Sequence, residues 1–177
     1  QDGTEERIPT DATWKAAFAG PVVRSGIYYG ETYDARRSED YKTDAAASAG
    51  WPAAEINDDF KGALRPVPGA IVHRRDDLAL APKSAYVWQG AEGATDVAFG
   101  RVKTLRAYKP GEEMLLAKGE TLVIDFGQNA AAVPEFEFAA DAGVELTVRF
   151  GEMLNDANGE KSRGNDGPGG SVYIANM

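Results

Sequence analysis

The chain reads as an all-β protein, an antiparallel β-sandwich or jelly roll with long loops and one or two short helices. Three observations predict this. Twenty glycines and nine prolines cut the 177 residues into short runs. Several of those runs alternate apolar and polar residues with the period-two pattern of a half-buried strand. Stretches with helical periodicity are scarce. Many short strands with turn signals between them and almost no helix are the mark of a sandwich or jelly roll.

Taken in order, the elements begin with a short helix over Thr10–Phe18, where Thr10 or Asp11 supplies the cap and Trp14 the anchor. Ile27–Arg36 alternates loosely as a strand, and Gly30 inside it predicts a bulge or a close backbone approach. An Ala-rich turn is expected at Asp44–Ala49, within a loop excursion over residues 39–63. Strands follow at Ser84–Trp88, Val102–Tyr108 and Thr121–Phe126. The most legible stretch closes the sequence. Phe136 and Phe138 alternate with Glu135 and Glu137, while Val144, Leu146, Val148 and Phe150 alternate with Glu145, Thr147 and Arg149. Asp141-Ala142-Gly143 between them predicts a hairpin turn. Residues 155–170 form a long polar, glycine-rich loop, and Ser171–Ile174 begins another strand.

At about 150 residues per domain, the length favours one domain over residues 1–177, with residues 1–10 flexible. The first residue is not Met and no charged-then-apolar leader precedes the strands, so the sequence reads as a mature or excised piece of a longer parent. The net charge of −9 disfavours a tracker of nucleic-acid phosphates. No run of 18 apolar residues is long enough for a membrane-spanning helix. The absence of cysteine excludes disulfide scaffolds, cysteine-ligated zinc and thiol nucleophiles, and a single histidine, His73, excludes HExxH zinc chemistry. No G-x-S-x-G elbow, no GxGxxG opening a helix and no GxxxxGK[ST] loop occurs.

Carboxylates and aromatic rings remain. A glycosidase needs two carboxylates flanking a sugar ring, and Glu31, Asp34, Asp58, Asp59, Asp125 and Glu152 all neighbour aromatic or glycine-rich positions. The competing reading makes them solvated surface charges. Asp156-Ala157-Asn158-Gly159 resembles the opening of a calcium loop without its terminal Glu, and is equally an Asn-Gly turn. Sugar stacking needs exposed rings. Trp51, beside Pro52 in a glycine-containing loop, is either such a platform or a plug closing one end of the sandwich.

Three segments carry a family resemblance. Gly30-Glu31-Thr32-Tyr33-Asp34-Ala35-Arg36, preceded by Gly20-Pro21-Val22-Val23 and Ile27-Tyr28, resembles the "GExYDAR" segment of bacterial α-L-rhamnosidases of glycoside hydrolase family 78. Asp125-Phe126-Gly127-Gln128-Asn129 resembles their "DFGQN" segment, and Gly143 through Leu154 resembles the strand that follows it there. The order is the family's across residues 20–155. The resemblance implies a non-catalytic β-sandwich whose partner is the catalytic (α/α)6 barrel of the same parent, an inverting enzyme working on terminal α-L-rhamnose. It implies a periplasmic or extracellular bacterial setting; from charge and hydropathy, no nucleic-acid or membrane partner is expected. Some members carry a calcium-dependent rhamnose-binding module in this region. Carried over, that role implies carbohydrate binding by Glu31, Asp34 and Arg36 together with Trp51, and calcium on Asp34. Ala35 stands where such a site would offer a second amide or carboxylate. Phe60 stands where the family often has Trp. A charge-assisted network of Glu31, Asp34 and Arg36 that holds the sheet edge is the competing role.

Overall fold

The computed structural model describes residues 3–18, 20–37, 48–57, 59, 61–63 and 65–174. The chain, expected as one domain, forms two compact units, residues 1–71 and 72–177. The sheet of each is antiparallel, and the described helices are three single 3₁₀ turns, so the all-β class holds.

In the first unit, β1 (Val22–Gly26) pairs with β2 (Gly30–Tyr33), with Gly26 opposite Gly30. The strand expected over Ile27–Arg36 is therefore divided. Ile27, Tyr28 and Tyr29 make the turn, the Tyr29 N–H donates to the Gly26 carbonyl at 3.1 Å, and Gly30 takes φ +66°. That left-handed conformation, taken just after the turn, brings the chain back into register with Gly26 at no steric cost to a glycine. The bulge lies instead in β1, between Val22 and Arg24.

The helix expected at Thr10–Phe18 is a single turn followed by an extended bridge. Asp11 Oδ1 accepts from the Thr13 N–H at 2.8 Å and from the Thr13 hydroxyl at 2.6 Å. This local satisfaction competes with a helix. Beyond the turn, the Ala16 N–H donates to the Pro52 carbonyl and the Ala54 N–H to the Trp14 carbonyl, pairing Lys15 with Ala53. Of the Ala-rich turn expected at Asp44–Ala49, residues 44–47 lie outside the described residues, as does Asp58.

In the second unit, β3 (Ser84–Glu92) is central, flanked by β4 (Arg101–Tyr108) and β5 (Thr121–Asp125). All three strands stand where the sequence placed them, with β3 running four residues beyond the expected Trp88. Ala85 and Val87 share one face of β3, while Val123 of β5, registered opposite Tyr86, lies on the other; these three are the buried apolar residues among those described. Two register shifts against β4 sit around Trp88–Ala91, where Gly90 takes φ +73°. The β4–β5 connection is clamped by Arg106, whose guanidinium donates to both Glu120 carboxylate oxygens, to the Leu115 carbonyl and to the Tyr108 hydroxyl.

The expected strands Glu135–Ala139 and Val144–Phe150 have no ladder. Only their turn forms as anticipated: the Val144 N–H donates to the Asp141 carbonyl at 3.2 Å and Gly143 takes φ +94°. Phe136, Phe138, Val144, Leu146, Val148 and Phe150 are exposed. Alternation assigns a face but does not supply a neighbour, and a strand without one keeps its backbone groups solvated. The strand expected from Ser171 is reduced to one bridge, Leu154 with Val172.

The polar loop 155–170 is, by contrast, closely folded against β3 and β4. Asn155 is 4 % exposed, donates to Asp166 Oδ1 at 2.7 Å and accepts from the Asp166 N–H at 3.1 Å. The Val102 N–H donates to the Gly169 carbonyl, the Phe99 N–H to that of Gly159, and the Tyr86 hydroxyl to that of Gly170. Gly159 and Gly169 are required there, because a Cβ on either would overlap the carbonyl of Gly100 or of Asp156.

Candidate functional site

Asp34 lies just past β2, where its N–H donates to the Pro21 carbonyl at 2.8 Å. The 3₁₀ turn Ala35–Arg37 then folds Arg36 back over it. Arg36 Nε and Nη2 donate to the two Asp34 oxygens, each at 2.8 Å, while Arg37 stands 3.4 Å away. The Asp34 side chain is 18 % exposed. The Arg36 hydrogen bonds, aided by the Arg36 backbone N–H and both positive charges, hold its carboxyl down to about 2. Two of the expected site residues, Asp34 and Arg36, are thus brought together. Glu31 sits on β2 opposite Ser25, exposed, and among the described residues no hydrogen bond or ion pair joins it to them. Trp51 is half-buried, its N–H donating to the Ser48 carbonyl at 3.1 Å.

Calcium takes six to eight oxygen ligands. At Asp34 the carboxylate faces two guanidinium groups, and among the described residues no three His, Cys, Asp or Glu side chains converge. This donor set is an ion pair, and a calcium ion on Asp34 would have to displace both guanidinium groups. The loop at Asp156 is engaged likewise. Its Oδ1 accepts from the N–H groups of Asn158 at 2.8 Å and Gly159 at 3.2 Å, and Arg163 Nε lies 2.7 Å from Oδ2. Those bonds lower its pKa, the Asn158 N–H foremost.

A second location emerges within residues 72–177. A cleft of about 600 Å³ is lined by Asn129, Phe150, Glu152, Met153, Tyr173 and Ile174. A smaller one of about 290 Å³ adjoins it through Met153 and Tyr173 and reaches Asp156, Arg163 and Asn165. Reading the sequence singled out Glu152 but not Asn129, Phe150 or Tyr173 as its companions. The signal available was that Asn129 and Phe150–Met153 fall in two of the three segments that carry the family resemblance.

An antiparallel all-β chain with glycine-ordered polar loops, and no nucleotide or nucleophile motif, defines a β-sandwich type of module. The chain belongs to the bacterial α-L-rhamnosidase family, in its N-terminal and concanavalin-like regions. Residues 1–76 match the α-L-rhamnosidase N-terminal domain and residues 115–174 the bacterial α-L-rhamnosidase concanavalin-like domain. An α-L-rhamnosidase of Streptomyces avermitilis is 31% identical over 180 residues, covering 99% of this chain and 13% of its own length. One from an Alteromonas species is 26% identical over 157 residues, 87% of this chain and 14% of its own. One from Formosa agariphila is 28% identical over 156 residues, 88% and 14% respectively. The chain therefore spans only 13–14% of the length of these relatives. No solved structure matches the chain.

Proposed function

We propose that this chain is a non-catalytic accessory module of a longer α-L-rhamnosidase, whose work is to support the catalytic barrel of the same parent. The supporting observation is the run of exposed apolar side chains on the Glu135–Phe150 segment, including Phe136, Phe138, Leu146 and Val148. Large apolar side chains left exposed along one short segment are what an interaction face would cover. In this reading the parent hydrolyses terminal α-L-rhamnose with inversion at a site outside these residues, and works in the periplasm or outside the cell, where the polysaccharide is.

The test is hydrolysis of an aryl α-L-rhamnoside. Residues 1–177 alone are expected to be inactive. In the parent, replacing Phe138 and Leu146 together by Lys is expected to lower the thermal midpoint of activity by several degrees. Turnover by 1–177 alone, or an unchanged midpoint in the double variant, would overturn the proposal.

A second reading makes the module a calcium-dependent binder of L-rhamnose-containing glycans through Glu31, Asp34, Arg36 and Trp51. It is favoured by the exposed guanidinium of Arg36, which Asp34 holds in a fixed plane. Calorimetry with L-rhamnose in calcium and then in EDTA decides it: heat that requires both calcium and Asp34 supports this reading, and no heat removes it.

A further inference from the structure

The polar side chains of the two adjoining clefts and of the loop behind the smaller one divide into two groups. Asn155, Asp156, Asn165 and Asp166 are all engaged with the protein's own backbone or side chains. Glu152 and Asn129, both on the cleft wall, make no side-chain hydrogen bond or ion pair among the described residues. One carboxylate and one amide of the cleft lining are therefore without a protein partner among the described residues, and Phe150, Met153 and Tyr173 line the same cleft. The cleft's volume of about 600 Å³ lies within the range of small-molecule sites.

The wall holding these groups is fixed. The Tyr173 N–H donates to the Met153 carbonyl at 2.9 Å and the Asn155 N–H to that of Ser171 at 2.8 Å. Gly151 permits this approach, since a Cβ there would overlap Val172 and the Tyr173 carbonyl. On the other side, Asn129 follows the turn in which Asp125 Oδ1 accepts the Gly127 N–H at 2.6 Å.

We propose that this cleft binds a neutral sugar. A pyranose ring offers an apolar C–H face that matches Phe150 and Tyr173, and hydroxyl groups around its edge. A carboxylate accepts such hydroxyls in charge-assisted hydrogen bonds, and a primary amide both donates and accepts. The free carboxylate, in a chain of net charge −9, opposes uronic acids and phosphorylated sugars. This inference rests on the α-L-rhamnosidase reading only for the choice of probe.

The experiment is a titration of ¹⁵N-labelled 1–177 with L-rhamnose, with D-galacturonate as the acidic comparator. Expected are saturable amide shifts at residues 129–130, 150–153 and 173–174, with a Kd on the order of 1–10 mM, and no saturation with galacturonate. Glu152→Gln should weaken binding about tenfold, and Tyr173→Ala should do so by at least as much. Glu152 makes no bond that the fold needs, so its variant stands even if Tyr173→Ala unfolds. No saturation at about 100 mM rhamnose, shifts confined to the Glu31–Trp51 region, equal binding of galacturonate, or unchanged affinity in Glu152→Gln would overturn the proposal. Hydrolysis by the parent does not enter this measurement, so either proposal can fail alone.

Discussion

At the scale of single residues, the decisive chemistry is the pairing of carboxylates with guanidinium groups two or more residues away. Asp34 and Glu120 are each gripped by an arginine fork, and each carboxyl is held down to about 2, chiefly by hydrogen bonds from Arg36 and Arg106 respectively. A carboxyl depressed in the folded state stabilises the fold above its unfolded pKa, and that contribution is lost as the pH falls through the folded value. The window here runs from about 4 down to about 2. Carbon-detected titration should find both midpoints near 2, and Arg36→Gln should return Asp34 toward its ordinary 3.8 while leaving Glu120 in place. An Asp34 midpoint that ignores Arg36→Gln would break the account. Asp34 and Arg36 were legible as neighbours from the sequence. Their pairing was one of the two roles the sequence offered; its two-pronged geometry was not legible, because only the backbone turn at Ala35–Arg37 folds Arg36 back over Asp34.

At the scale of elements, the polar loop 155–170 is pinned to the sheet through its buried Asn155, Gly159 and Gly169. Its backbone groups pair with β4 and the β3–β4 connection, and the Asn155 amide bridges Asp166 and Ser171 within it. Removing a buried amide leaves its partners unsatisfied, at a cost of about 1–3 kcal/mol. Asn155→Ala is therefore expected to lower the urea midpoint by that equivalent. Gly159→Ala should do at least as much, because its Cβ meets the backbone of Gly100 and its φ is +61°. Gly69→Ala, which meets nothing within 4 Å, is the control and should leave the midpoint unchanged. Composition announces such a segment as loop, since polar and glycine-rich runs usually are. That reading misses it because hydrogen bonds to distant strands satisfy its polar groups, and hydropathy does not record them.

At the scale of the whole molecule, few apolar residues are buried while many large ones are exposed in both units. Hydrophobic driving force scales with the apolar area removed from water, so this chain by itself holds an unused share of it. It should bind a hydrophobic dye such as ANS at neutral pH, and Phe138→Lys with Leu146→Lys should reduce that fluorescence. The far-ultraviolet circular dichroism should stay as it was, since these residues support no ladder. A dye signal unmoved by the double variant would place the apolar surface elsewhere.

The sequence by itself determined the all-β class, the strands at 84–88, 102–108 and 121–126 to within a residue or so except at the far end of the first, and the turn at Asp141–Val144. Alternation and turn chemistry are local, and a half-buried strand or a glycine at positive φ is written within a few residues. The three segments that carry the rhamnosidase resemblance were equally legible, being runs of adjacent residues. The tertiary structure alone decided what depends on contacts distant in the chain. It divided Ile27–Arg36 into a turn and a strand, replaced the helix at Thr10–Phe18 with a bridge to Ala53, and left Glu135–Phe150 without a ladder. It also gathered Asn129, Phe150, Glu152 and Tyr173 around one cleft. A period of two names the face a side chain takes, whereas a partner and a cavity exist only once separate segments meet.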